Sequence, residues 1–223
     1  MKSVQNTSQI TKAMEAVSAA KMRKAQEFAL RARPYAVASF ELLHNLLERT
    51  PTIPPLLRSR PIKRSALLIV ASDKGLAGAL NANILRKADV WQAGRAETVI
   101  LTVGRKAKEY AERKGIVPIA SYAGFGDFTD ITETIPVADR IIKGFLEHEW
   151  DELDAAYTNF RTTLAQEAVI KKILPVTQEG IQDMVRGILP EYGKYSESAN
   201  NKQQTTNNYF YEYTLEPSVA EIL

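Results

Sequence analysis

Residues 7–48 hold a single helix breaker, Pro34, in a 42-residue stretch rich in Ala, Leu, Met, Glu, Lys and Arg. These side chains lose little freedom on a helix. The stretch therefore predicts one very long helix, kinked or ended midway by Pro34. At 1.5 Å per residue it would span roughly 60 Å, which suits a shaft or coiled coil better than a helix enclosed in a small domain. Ile10, Met14 and Val17 share a face, with Ala13 and Ala20 beside them, and such small side chains let a second helix approach closely. Leu42, Leu43, Leu46 and Leu47 form a broader apolar face near the far end. A helix like this cannot bury its apolar side alone. No other long helix is evident, so its mate is expected from another chain or from beyond Leu223. There SVAEIL reads as a helix cut short, with Ser218 as N-cap and Glu221 at capping-box spacing.

Charge sets this segment apart from the rest. Residues 1–64 carry 12 Lys or Arg against 4 Asp or Glu, whereas residues 65–223 carry 17 against 22, so a basic arm of +8 precedes a body of −5. Such an arm can seek nucleic acid, anionic lipid or an acidic protein. No cysteine is present and the two histidines, His44 and His148, are far apart, which leaves no disulfide framework, thiol nucleophile or zinc-type spacing. No run approaches the 18 apolar residues of a membrane span, and the first residues lack the apolar core of a signal peptide. The chain is expected to stay inside the cell.

Four prolines and five basic residues make RTPTIPPLLRSRPIKR (49–64) a boundary without regular structure. Beyond it, apolar strand runs alternate with helical ones. Strands are expected at 65–72, 97–104, 116–124 (an edge, because of Pro118), 152–162 and 167–176. Helices are expected after the 72–81 turn, over 105–115, and over 135–150 with Pro136 in the first turn. This order implies an α/β fold with a largely parallel, Rossmann-like sheet. Residues 177–208 show little pattern, with an exposed loop expected at 196–208, and 209–217 alternates like a half-buried strand. The domain reading is a shaft helix in 1–57, an α/β body in 58–217, and the start of a truncated helix in 218–223.

The best local motif is SDKGLAGALN (72–81), a strand-to-helix turn of the kind that can cradle phosphate. Yet it matches neither glycine-rich phosphate signature, and Lys74 lies on the wrong side of Gly75 and Gly78. An architectural turn involving Asp73, Gly75 and Gly78 is the plainer reading. Asp73, Asp127 and Asp130 could form a carboxylate cluster, but nothing in the sequence brings them together, and His44 and His148 read as core-edge or surface residues. The basic residues of the first helix lack the interleaved aromatics of a nucleic-acid reader. Three functions stay open at this point: a helical assembly element, a phosphate- or nucleotide-binding enzyme with a helical oligomerisation arm, and a nucleic-acid-binding protein with a basic helix.

Residues 3–36, SVQNTSQITKAMEAVSAAKMRKAQEFALRARPYA, resemble the N-terminal shaft helix of the gamma subunits of F-type ATP synthases. SDKGLAGALNANI (72–84) resembles that family's first strand-turn-helix of the body. The KMRKAQ variant, the plain 49–64 linker and the lack of a cysteine-bearing insert resemble the bacterial type. The resemblance implies a non-catalytic central rotor stalk with no cofactor of its own. Its partners would be three alpha and three beta subunits, an epsilon subunit and the membrane c ring, with no nucleic acid. It would sit peripherally on the cytoplasmic face of a bacterial plasma membrane. It further implies that Met14, Lys21, Arg23 and Lys24 face acidic beta-subunit loops, and that Ile10, Ala13, Met14, Val17 and Ala20 pack the shaft. Family members begin about ten residues earlier and end in a second long helix, so truncation at both ends is expected.

Overall fold

The computed structural model describes residues 2–49, 53–126, 130–162 and 165–188. The expected loop at 196–208, the strand at 209–217 and the helix start at 218–223 lie outside the described residues.

The first helix, α1, runs unbroken from Lys2 to Arg49, 48 residues, with Pro34 inside it. Pro34 therefore does not end the helix; it deletes one amide donor, and the turns on either side carry the helix through. At 1.5 Å per residue α1 is about 72 Å long, longer than expected because the polar start, residues 2–6, joins it. The linker holds only one 3-10 turn, Pro55–Leu57, as its prolines dictate. It is nevertheless tied down. Val176 donates its amide to the Leu56 carbonyl (2.9 Å), and Leu56 packs against the core.

The body is a five-stranded sheet in the order β3-β2-β1-β4-β5. Its strands are β1 (Ser65–Val70), β2 (Thr98–Val103), β3 (Ala120–Tyr122), β4 (Glu152–Phe160) and β5 (Gln166–Leu174). The first four are parallel and β5 runs antiparallel to β4. The helices are α2 (Leu80–Ala93), α3 (Arg105–Arg113), α4 (Ile131–Leu146) and α5 (Gln178–Ile188). β1, apolar throughout after Ser65, is central and buried on both faces, as its composition requires. Ala66 and Leu68 point into a core with α4, where Phe145 and Trp150 are fully buried; Leu67 and Ile69 point into a second core with α2 and α3 around Ile84, Trp91 and Tyr110.

Three expectations need correction. The helix placed at 135–150 begins at Ile131, because Asp130 caps it by accepting the Thr132 amide at 2.9 Å. Pro136 is therefore interior rather than in the first turn. The third strand is only Ala120–Tyr122, since Pro118 cannot donate to a ladder. The stretch after residue 177 is not patternless: α5 folds there and packs on both β5 and α1. Part of the mate that α1 needs thus comes from this chain, ahead of Leu223.

Candidate functional site

Two regions carry the residues singled out in the sequence, the exposed face of α1 and the turn after β1. On α1, Ile10, Met14 and Val17 are 61%, 56% and 56% exposed, and Ala13 and Ala20 are exposed with them. They sit at spacings of four and three on one helix face, so the structure presents a continuous apolar stripe to the outside. Lys12, Lys21, Arg23 and Lys24 are likewise exposed along the same helix. Apolar area and positive charge are thus exposed together on one helix.

The 72–81 turn is held by its own side chains. Asn81 accepts the Ser72 amide at 3.1 Å and donates its side-chain amide to the Ser72 hydroxyl at 2.8 Å. Asp73 reaches across to two other segments: Oδ1 accepts the Arg105 amide at 2.8 Å and Oδ2 accepts the Gly124 amide at 2.9 Å. One carboxylate thus fastens the start of α3 and the loop after β3 to the end of β1. It puts a negative charge at the turn, where a phosphate reader needs positive potential. Gly78 adopts φ +56° with open space around it, so its need is conformational; Gly75 has only the Lys106 side chain near, at 3.9 Å. The residue that sequence reading missed is Gly104, at φ +90°. A Cβ there would lie 1.9 Å from the Ala71 carbonyl oxygen. Gly104 lets β2 turn into α3 against the end of β1, and its place just after the apolar run of β2 is the signal that could have marked it.

Two members of the proposed carboxylate cluster, Asp73 and Asp130, each serve backbone amides. Asp130 is spent on capping α4, and its hydrogen bonds with the Thr132 amide and hydroxyl hold its carboxyl below the ordinary range. Asp127 lies outside the described residues, as does the His44 side chain. His148 follows α4 in a left-handed turn, φ +61°. Among the described residues no group of three or more acidic or histidine side chains is placed to hold a metal, and no helix is long and apolar enough to cross a membrane.

The charged pairs of the body are structural. Glu152 is buried at the start of β4, where burial pushes its carboxyl up, but Lys172, Ser65 and Arg95 outweigh this and hold it below the ordinary range. Arg95 also reaches Asp154 at 3.1 Å, and Asp154 accepts the Trp91 indole at 2.6 Å. Tyr110 is pushed up by burial and by its hydrogen bond to Asp89. Every member of these clusters already has a partner.

Comparison with known proteins points one way. A family model described as ATP synthase matches residues 1–223, the whole chain. The ATP synthase gamma chain of Roseiflexus castenholzii is 37% identical over 183 residues, covering 79% of this chain and 63% of that protein. The gamma chain of Rippkaea orientalis is 31% identical over 233 residues, covering all of this chain and 74% of that protein. The chain thus spans about two thirds to three quarters of these relatives' length. Among solved structures, the central stalk and c-ring of Tetrahymena thermophila mitochondrial ATP synthase superposes with a TM-score of 0.60 at 20% identity. It covers 88% of this chain and 85% of that one, a likeness of fold.

Proposed function

Because this chain belongs to the ATP synthase gamma-chain family, we propose that it is the central rotor stalk of a bacterial F-type ATP synthase. The observation that carries this reading is the joining of a 48-residue helix, mostly exposed over residues 3–32, to an α/β body. The chain is not a catalyst. It transmits motion: rotation of the membrane c ring turns the body, and the asymmetric helix drives each catalytic beta subunit through different nucleotide affinities, a coupling of distant sites through discrete conformations.

The residue roles follow from this reading. Ile10, Ala13, Met14, Val17 and Ala20 form the stripe against which a second shaft helix packs, their small and medium side chains permitting a close approach. Met14, Lys21, Arg23 and Lys24 face acidic loops of the beta subunits, where long-range attraction orients the shaft without deep anchors that would resist turning. Three alpha and three beta subunits surround the shaft, with epsilon and the c ring at the body end. The assembly is peripheral on the cytoplasmic face of the plasma membrane. The Asp73 carboxylate in the 72–81 turn weighs against the phosphate-enzyme reading, and the turn serves architecture.

Assembly tests the proposal. Co-expression with the alpha and beta subunits of the same organism should yield a complex whose mass fits three alpha, three beta and one copy of this chain. The reading is overturned if no such complex forms, either with this chain or with a version extended by the terminal segments its relatives carry.

A further inference from the structure

Arg33 marks the point where α1 leaves the body. Between residues 3 and 32 every residue of α1 is exposed except the half-buried Ala19 and Gln26, whereas Arg33, Ala36, Val37, Phe40 and Leu43 are buried or half-buried. Arg33 is only 9% exposed. Its Nη2 donates to the Phe160 carbonyl at the end of β4 at 2.8 Å, while its Nη1 is buried and has no hydrogen-bond partner. The next residue, Pro34, lies inside the helix and has no amide to give the Leu30 carbonyl. The helix ladder therefore lacks a rung beside the exit point, and prolines are where long helices bend.

Phe160 sits on a projection of the sheet. β1 pairs with β4 only as far as Ala156, and from Tyr157 to Phe160 β4 pairs with β5 alone among the described residues. This two-stranded arm reaches about 13 Å beyond the last β1 pair, and such a ribbon is weak by itself. Here it is braced. Asn159 Nδ2 donates to the Gly187 carbonyl of α5 at 3.0 Å, and α5 packs on both β5 and α1.

A buried guanidinium on a neutral carbonyl contributes little to stability. Taking the cation out of water is costly, and no ion pair offsets the cost at Arg33 among the described residues. An apolar side chain of similar length would hold the two elements together as well or better. What arginine adds is reach and direction, a rigid donor that meets one chosen carbonyl. We infer that Arg33 is a positioning residue of the rotor: its bond to Phe160 sets the angle of α1 at the Pro34 step, so that the β4–β5 arm passes the turning of the body to the shaft. The mechanical consequence rests on the rotor reading, whereas the joint is a property of this chain alone.

The experiment separates the joint from the fold. The chain has no cysteine, so spin labels are placed through Met22→Cys on α1 and Lys87→Cys on α2, both exposed positions. Double electron–electron resonance then reads the distance distribution between them in the whole chain. Arg33→Met should leave the urea unfolding midpoint unchanged or raised, yet broaden that distribution. In membrane vesicles carrying the assembled enzyme, the same variant should lower proton pumping per ATP hydrolysed by about twofold or more, the low end for a residue that couples two sites. A distribution as narrow as the parent's, or an unchanged pumping ratio in an assembly that forms, overturns the inference. A large fall in the midpoint, or failure to fold, would make Arg33 an ordinary stabilising contact and overturn it as well. Failure of the parent chain to assemble counts against the rotor reading instead, and the distance distribution alone then decides whether Arg33 sets the joint.

Discussion

Gly104 and Gly78 both hold left-handed backbone, yet their neighbourhoods differ, and a single methyl group separates them. At Gly104 an added Cβ meets the Ala71 carbonyl oxygen at 1.9 Å and its carbon at 2.8 Å; backbone must move, and two β-strand ends move with it. Gly104→Ala should cost about 3 kcal/mol or more, or prevent folding. At Gly78 nothing lies within 4 Å, so Gly78→Ala should cost only about 1 kcal/mol of conformational strain. Urea unfolding followed by circular dichroism checks both; equal costs would mean that the close approach at Ala71 is relieved elsewhere. The sequence showed the glycines of the 72–81 turn because they cluster in a motif. The place of Gly104 after the apolar run of β2 was visible, but the close approach that demands a glycine there is a property of the pairing β1–β2. Asp73 was legible only as part of a turn; its two amide partners are 32 and 51 residues away.

At the scale of elements, one carboxylate fastens the end of the linker that enters the sheet. Asp151 accepts the Lys63 and Arg64 amides at 2.8 and 3.1 Å and the Arg60 guanidinium at 2.7 Å. Arg60 also donates to the Phe145 carbonyl at 2.9 Å. Burial pushes the Asp151 carboxyl up, but these donors outweigh it and hold it below the ordinary range. A depressed native value means that the contribution is present above the unfolded aspartate value of about 3.9 and is lost as pH falls through the native one. Asp151→Asn should therefore cost about 2 kcal/mol at pH 7, and the gap from the native chain should close below about pH 4. Urea titrations at the two pH values read this, and a gap that persists unchanged in acid would assign the cost to geometry rather than charge. Helix α5 was missed because Gly180 and Gly187 and its 11-residue length weaken the local signal; the pattern of Ile181, Met184, Val185 and Ile188 was nonetheless there. Ile181 is buried, so Ile181→Ala should cost about 2–4 kcal/mol in the same unfolding assay. A cost under half a kcal/mol, within the usual range for surface changes, would mean that α5 is not docked. The alternation of strands and helices was readable because each strand is a short apolar run. The start of α4 was not, because its first turn, Ile131–Thr134, is exposed and is set by the Asp130 cap instead of by burial.

For the whole molecule, the exposure of the α1 stripe separates stability from function. Met14 is more than half exposed, so Met14→Lys should leave the unfolding midpoint of the isolated chain within about 0.5 kcal/mol of its parent. In the assembled enzyme the same change puts a new cation among the contacts proposed for the acidic beta loops. It should lower proton pumping relative to ATP hydrolysis in membrane vesicles; an unchanged ratio would remove Met14 from the coupling surface. The composition contrast between a basic arm and a mildly acidic body was readable from residue counts alone. What no count could show is where the arm meets the body: α1 packs on α5, and Arg33, one of many basic residues on α1, is buried and donates to the Phe160 carbonyl.

That contact divides α1 unequally. Arg33 is fixed to the end of β4, and the helix then continues from Ala32 back to Lys2. At 1.5 Å per residue Lys2 lies about 47 Å and Met14 about 28 Å along the helix axis from that fixed point. The sideways deflection of a beam under an end load rises with the cube of the length beyond its last support, whereas its twist under an end torque rises only in proportion to that length. The length of α1 therefore penalises bending stiffness more steeply than torsional stiffness. A bearing that holds it laterally would remove most of the bending while leaving rotation about the long axis free.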